Sequence, residues 1–369
     1  MTEALVIGKF YPPHLGHVGL VEHAAKQSDW VTVLVMASAA EAIPLADRIA
    51  WLTEAVHHVP GVRVTGIPCD APVDYASDIA WVAHIAHMRA ALDALGVCRV
   101  DLVAGSENYV GTLAARLGAR ALVYDIERRA APVSGSAVRA DLVGSWQLLP
   151  APVRRGLAVR VVVLGAESTG TTTLAGALVA HYRSRGFPSI TTVPEFGREF
   201  TYLLHAQQAE EAERCGASVP LADEIVWRPE HFETIASRQM HLENAAALAC
   251  PLVVADTDAL ATTVWERRYV ADTSCASAGA LACLPRRDLY LVTDHVGVDF
   301  EQDGWRDGEH LRPWMTQEFV RILHAAGHSW ILLRGDEQER LDFAVAAIDP
   351  ILARRLHLAA PLPQAGVVT

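Results

Sequence analysis

Gly8-Lys9-Phe10-Tyr11-Pro12-Pro13-His14-Leu15-Gly16-His17 is the stretch that decides the fold. An apolar run at residues 4–7 precedes it and reads as a strand, and residues 16–27 follow with helical spacing. Open parallel sheets hold their ligands outside the carboxyl ends of the strands, which is where this loop falls. The same alternation continues outward. Residues 30–36, 62–67, 100–104 and 120–124 read as strands. Residues 46–58 and 78–95 read as helices, the second with Ile79, Val82, Ile85, Ala86 and Met88 near one side. Strand alternating with helix implies right-handed crossovers and a parallel sheet covered on both faces.

The pattern lapses at Leu148-Leu149-Pro150-Ala151-Pro152-Val153-Arg154-Arg155-Gly156. Prolines, arginines and a glycine suit a linker over residues 149–157. A fresh strand at 158–164 opens a second α/β unit, with further strands at 190–193, 252–255, 289–292 and 330–333. The expected division is a first domain at 1–148, a second at 158–358 and a disordered Ala- and Pro-rich tail at 359–369. At roughly 150 residues per domain, two domains also fit the length.

Composition narrows the field. The net charge of −12 excludes a general nucleic-acid binder, which needs a basic face. No apolar run approaches the roughly 20 residues that span a bilayer. The first residues lack the basic region of a signal peptide, so no membrane partner and a cytoplasmic location are expected. Six scattered cysteines form no CxxC pair and read as inert thiols. A homo-oligomer is compatible with everything so far.

In the opening loop, Gly8 lets a ligand approach the backbone, and Pro12 and Pro13 stiffen the turn. His14 and His17, three apart at a helix start, can face one side beside free N–H groups that attract phosphate. The string resembles, without a gap, the GxFxPxHxGH signature of the HIGH-type nucleotidyltransferases. Val133-Ser134-Gly135-Ser136-Ala137-Val138-Arg139 resembles that superfamily's ISGTxxR motif, with Ser136 in the Thr place. The resemblance implies that Gly8, Phe10, Ser134, Gly135 and Ser136 hold ATP. It also implies that Lys9, His14, His17 and Arg139 steady charge while an anionic acceptor displaces pyrophosphate from the α-phosphate.

A second phosphate loop follows the 158–164 strand: Gly165-Ala166-Glu167-Ser168-Thr169-Gly170-Thr171-Thr172-Thr173. Strand, loop and helix give the context of a GxxxxGK[ST] motif, whose backbone cradles phosphates. Thr172 stands where a hydroxyl normally meets Mg²⁺. Thr171 stands where the lysine belongs, and a neutral hydroxyl cannot offset phosphate charge as an ammonium does. Two readings stay open. The unit is impaired or purely binding, or another cation serves, with Arg198, Arg306 and Arg312 as candidates.

Together the two halves resemble the NadR-type bifunctional proteins, over most of residues 4–345. Ser106-Glu107-Asn108-Tyr109, Arg128-Arg129, Val193-Pro194-Glu195-Phe196-Gly197-Arg198-Glu199, Asp256-Thr257-Asp258 and Asp303-Gly304-Trp305-Arg306-Asp307 carry the likeness, although Gln302 replaces the first Asp of the last motif. It implies two doubly wound parallel-sheet domains, a Rossmann-like nucleotidyltransferase followed by a P-loop NTPase-like domain. It implies ATP and Mg²⁺ as cofactors. It implies nicotinamide mononucleotide as the first acceptor and, in the second half, nicotinamide riboside. Glu195, Asp258 and Arg306 would then contact substrate, and Thr172 and Asp256 the metal, with Asp256 also a proton acceptor. Trp81 is the expected stacking partner for the flat nicotinamide cation. With no helix-turn-helix ahead of residue 4, the likeness implies NAD synthesis without transcriptional control. Another phosphorylated acceptor, or a second domain that only senses nucleotide, stays open.

Overall fold

The computed structural model describes residues 1–271, 274–281 and 284–361. Contacts divide the chain into two compact units, Met1–Leu157 with the residues from Arg354 on, and Ala158–Ala353. The first unit runs β1 (Glu3–Gly8), α1 (Leu15–Ala25), β2 (Trp30–Ala37), α2 (Leu45–Ala55), β3 (Val62–Pro68), α3 (Asp78–Ala94), β4 (Leu102–Gly105), α4 (Val110–Leu117), β5 (Arg120–Val123), α5 (Gly135–Ala140) and α6 (Ala151–Leu157). The strands form one parallel sheet in the order β3-β2-β1-β4-β5.

Side chains alternate across the sheet as a strand's two-residue period requires. Leu5, Leu34, Met36 and Val103 face α3 and α4, meeting Trp81, Met88, Leu92 and Leu113. Ala4, Val6, Val31, Val33 and Val35 face α1 and α2, meeting Leu20, Val21 and Leu52. Burial on both faces explains why these strands read as continuous apolar runs. The chain leaves β1 toward β2 on one side and returns to β4 on the other. The crevice between the ends of β1 and β4 is therefore the switch point at which such sheets bind ligands.

The second unit runs β6 (Val159–Gly165), α7 (Thr171–Ser184), β7 (Thr192–Val193), α8 (Phe196–Arg214), α9 (Pro229–Ala249), β8 (Leu252–Asp256), α10 (Ala259–Tyr269), α11 (Ala278–Leu281), β9 (Leu289–Thr293), α12 (Arg312–Ala325), β10 (Trp330–Leu333) and α13 (Glu337–Arg355). Its sheet is also parallel, in the order β10-β9-β6-β8-β7. Among the described residues no helix is long and apolar enough to cross a membrane.

Four expectations need correction or limits. The 149–157 segment is not an open linker, because α6 forms within it and buries Pro152, Val153 and Leu157. Pro152 sits in the first helical turn, where its missing N–H costs nothing. Gly156 lies against Trp51, whose ring leaves no room for a side chain there. On α3, Ile79, Val82 and Ala86 are exposed while Trp81, Met88 and Leu92 are buried, with Ile85 partly buried against them. The strand expected at 190–193 pairs only from Thr192, since the Ile190 N–H donates back to Phe187 O. The disordered tail expected at 359–369 lies, from residue 362 on, outside the described residues.

Candidate functional site

A cavity of about 540 Å³ opens at the ends of β1 and β4 in the first unit. Gly8, Lys9, Phe10, His14, His17, Trp81, Ser134, Gly135, Ser136 and Arg139 all line it. β1 delivers the chain at Gly8, where a side chain would press on the Phe10 ring at 3.2 Å. The loop then turns through Phe10, at φ +47°, and the cis Tyr11–Pro12 bond to His14, the extended residue that caps α1. The His14 and His17 rings stack with centroids 3.6 Å apart, and Phe10 meets His17 edge-on at 4.7 Å.

Both imidazoles are uncharged near neutrality. Burial, helped by the charges of Arg128 and Arg139, lowers His14 to about 4. Burial, then His14, then Arg128, holds His17 well below its ordinary value. The His14 N–H donates to His17 Nδ1 at 3.1 Å, which leaves the His17 proton on Nε2 as a donor. His14 Nδ1 is buried and has no hydrogen-bond partner. A buried polar atom left in that state costs roughly 1–3 kcal/mol, which a bound ligand would recover.

Cations frame the pair. Arg139 Nη1 donates to Tyr11 O at 2.7 Å and so ties α5 to the β1 loop. Arg128, in the left-handed region at φ +54°, donates to Glu107 Oε1 at 3.0 Å. Ser134 caps α5, accepting from the Ala137 N–H at 3.1 Å. Lys9 lines the cavity with its ammonium paired to Glu41 Oε1 at 2.8 Å. Glu41 Oε2 in turn accepts from the fully buried Arg48 at 2.5 Å, and Arg48 also donates to Lys9 O and Ile43 O. Burial raises Glu41, but its bonds to Lys9 and Arg48 outweigh that and keep it a carboxylate. Trp81 Nε1 donates to Tyr75 O at 3.1 Å, and Tyr75 stacks on Tyr109 at 5.5 Å, so one wall is aromatic. Sequence reasoning missed Glu41, Arg48 and Tyr75, which follow other strands and carry no motif, and gave Tyr109, quoted within the 106–109 likeness, no role.

In the second unit a cavity of about 290 Å³ sits over the 165–173 loop. All of that loop lines it, with Glu195, Arg198, Asp256 and Arg306. Only glycine fits at 165, because a Cβ would lie 2.2 Å from Thr293 Oγ1. Ser168 and Gly170 adopt positive φ, +57° and +85°, which curls the loop. Thr172 Oγ1 donates to Asp256 Oδ2 at 2.5 Å, joining the start of α7 to the end of β8. Burial raises Asp256 against the hydroxyls of Thr172 and Thr171 beside it. Burial, then the Asp256 charge, pushes half-buried Glu195 up to about 7. Arg198 donates to Tyr202 Oη at 2.9 Å and pairs with Asp303. Arg306 donates to Glu301 O at 2.8 Å. Gln302 still organises its turn, accepting from Gly304 N–H and donating to Arg306 O. Trp227, Trp265 and Tyr269 form an aromatic wall, Trp227 lying 5.1 Å from Tyr269. These three were also missed, being single aromatics on separate elements.

Two expected residues are elsewhere. Asp258 is fully buried and does not line the cavity: Oδ1 caps α10 at Ala261 N–H, and Oδ2 accepts from Arg287 and Tyr290. An Asp before a helix is as much an N-cap as a ligand contact, and here the cap prevails. Arg312 is buried behind the phosphate loop, donating to the carbonyls of Ser168, His295 and Val298, so it does not face the cavity. Among the described residues no group of three or more His, Cys, Asp or Glu side chains could hold a metal. The Thr172 hydroxyl and the Asp256 carboxylate are nonetheless hard oxygen donors of the kind that, with a nucleotide's phosphates, suit Mg²⁺.

A two-histidine loop at the switch point of one parallel sheet, and a curled phosphate loop at the head of another, define a fusion of a nucleotidyltransferase-like unit with a P-loop unit. The comparisons agree. A family described as "Citrate lyase ligase C-terminal domain" matches residues 3–67, and one described as "AAA domain" matches residues 160–340. The chain is 21% identical over 278 residues to "Trifunctional NAD biosynthesis/regulator protein NadR" of Salmonella typhimurium, and 22% identical over 282 residues to the Escherichia coli protein of that name. These alignments cover 72% and 73% of this chain but only 62% and 63% of the relatives. A phosphopantetheine adenylyltransferase of Sodalis glossinidius is 40% identical over 78 residues, 20% of this chain and 48% of its own. Solved structures of a NadR protein, one with NR and one with NAD and AMP-PNP, share the fold at TM-score 0.56 with 21% and 20% identity, covering 95% of both chains. The resemblance to NadR-type fusions read from the sequence is thus borne out.

Proposed function

We propose that the first unit transfers the adenylyl group of ATP to nicotinamide mononucleotide, forming NAD and releasing pyrophosphate. One observation carries this reading. Two stacked, uncharged imidazoles stand at the sheet's switch point, one offering Nε2–H and the other a buried, unpartnered Nδ1. Donors already in place stabilise charge as it develops on phosphate oxygens, with no reorganisation during the step. Arg128 and Arg139 line the same cavity and take the growing charge of the leaving pyrophosphate. No protein nucleophile is needed, because the acceptor's phosphate attacks in line. The Trp81, Tyr75 and Tyr109 wall suits a flat cationic ring.

The second unit, on this proposal, binds ATP on residues 165–173 and a flat nucleoside against Trp227, Trp265 and Tyr269, for phosphorylation of nicotinamide riboside. Glu195, poised at about 7, or Asp256 accepts the hydroxyl proton. Mg²⁺ held by Thr172 and Asp256 would neutralise phosphate charge when bound. A second reading, nucleotide sensing without turnover, is favoured by Thr171 in the lysine position.

The test is a product assay by mass spectrometry on the intact chain. It uses ATP, Mg²⁺ and either nicotinamide mononucleotide or the riboside. NAD from the mononucleotide is expected. Pyrophosphate release only with another acceptor, such as phosphopantetheine, would replace the acceptor and keep the chemistry. No release with any acceptor would remove the proposal.

A further inference from the structure

We propose that Arg312 and Arg340 supply, from behind the phosphate loop, the positive charge that the residue at 171 does not. This rests on reading residues 165–173 as a triphosphate site. Arg312 opens α12 and Arg340 lies in the first turn of α13, so two separate elements converge on the loop. Both are buried. Arg312 Nη2 donates to Ser168 O at 3.2 Å, and Arg340 Nη1 donates to Thr169 O at 2.7 Å. Each guanidinium is fixed further: Arg312 by His295 O and Val298 O, Arg340 by Asp294 O and Gly335 O.

The geometry makes these charges useful to a ligand they do not touch. A trans peptide points its N–H opposite to its C=O. The carbonyls of Ser168 and Thr169 share peptides with the N–H groups of Thr169 and Gly170. Holding those carbonyls backward turns these N–H groups the other way and polarises them. Arg340 Nη1 lies 3.9 Å from where a Cβ on Gly170 would stand, one residue before the lysine position. Buried charge is screened little by salt. Of the acids whose charge acts on Arg340, Asp294 is ion-paired with Arg334 at 2.6 Å, and Glu337, at the exposed start of α13, lines the same cavity. The arginines are therefore positioning residues with an electrostatic reach to the β- and γ-phosphates.

The experiment is hydrogen–deuterium exchange on the full chain, following peptides that cover residues 165–175 during titration with ATP or AMP. This reads the second unit even though the first also takes ATP. Wild type is expected to show ATP protection. Arg340→Gln, which keeps an amide donor without the charge, should weaken the ATP midpoint at least about tenfold and the AMP midpoint little. Arg340→Lys, which keeps the charge but not the forked hydrogen bonds, should lose less ATP affinity than Arg340→Gln. Adding Thr171→Lys to Arg340→Gln should restore ATP binding. Equal loss for ATP and AMP, or no rescue by Thr171→Lys, means a purely structural role and overturns the inference. An unchanged Arg340→Gln overturns it as well. No ATP protection in wild type removes the triphosphate site itself.

Discussion

The two cavities place their cations in opposite ways. In the first unit, side chains aim into the cavity: the imidazoles of His14 and His17 and the guanidiniums of Arg128 and Arg139 all line it. In the second, the loop offers mainly backbone and hydroxyls, and Arg312 and Arg340 sit behind it on the carbonyls of Ser168 and Thr169. Arg198 and Arg306 reach that cavity, but both lie within ion-pair distance of Asp303. A site that shows its donors directly depends on single side chains. A site that works through peptides spreads the effect over the loop.

The sharpest way to break this contrast is His17→Ala. On the proposed reaction it removes the Nε2–H donor and frees the His14 N–H. Loss of one preorganised donor of this kind costs about 10²–10³ in kcat. Steady-state NAD formation checks it, with the second unit's response to ATP as an internal control. A loss under tenfold would mean that the imidazoles are packing, not chemistry.

The next effect has the opposite sign. Thr171→Lys should raise phosphorylation of nicotinamide riboside, because an ammonium added in front of the loop supplements charge held behind it. A gain of about 10–100-fold is expected from one new charge-assisted contact of roughly 1.5–3 kcal/mol. Measured formation of the mononucleotide decides it. If both proteins are inactive while both bind ATP, the sensing reading of the second unit prevails.

That contrast was only half legible in the sequence. His14, His17 and Arg139 of the first cavity lie in two short contiguous strings, 8–17 and 133–139, so local spacing exposes them. Glu41 and Arg48 could not be seen, because they reach Lys9 only through the alignment of the β1 and β2 loops in the folded sheet. Asp258 misled for a physical reason: a carboxylate at a strand end, before a helix, suits a cap as well as a ligand. Arg312 was singled out correctly as a cation near the loop, but its side of the loop depends on how α12 packs. Arg340 has no motif at all. On α3, Trp81 pointed inward as a wall of the cavity, yet Ile79 and Val82, grouped with its buried neighbours, face solvent.

The pH dependence should separate the two sites more gently. His14, lowered to about 4 mainly by burial, stays neutral until strong acid. NAD formation should therefore be flat between pH 6 and 8 and fall only below about 5, as protonation adds a charge beside Arg128 and Arg139. The same shift bears on stability. The unfolded chain takes up the His14 proton near its ordinary 6.5 and the folded chain near 4, so this group lowers stability as pH falls through that window. Glu195, raised to about 7 by burial and then by Asp256, titrates at neutrality instead. If it accepts the substrate proton, turnover at the second site should rise roughly tenfold from pH 6 to 8. Glu195→Gln should abolish that slope. A second-site profile that is flat in wild type would take Glu195 out of the proton path.

The smallest expected effect tests the aromatic wall of the first cavity. Trp81 holds its indole by one bond to Tyr75 O and sits 6.0 Å from the Tyr75 ring. The Arg116 guanidinium already lies 5.3 Å over its ring centroid, so part of the cation-binding capacity of that indole is in use. Trp81→Phe keeps an aromatic face and loses the N–H. For a nicotinamide cation stacked there, about 0.5–1 kcal/mol is at stake, a rise of roughly two- to fivefold in KM for the mononucleotide. The KM for ATP and kcat should hold, because the indole's hydrogen bond and ring contacts run to Tyr75 and Arg116 and not to His14, His17, Arg128 or Arg139. If both KM values rise together, the substitution has loosened the β4-side wall as a whole. Selective loss for the mononucleotide would put the acceptor's ring against Trp81, and the adenylyl donor on the opposite, histidine side.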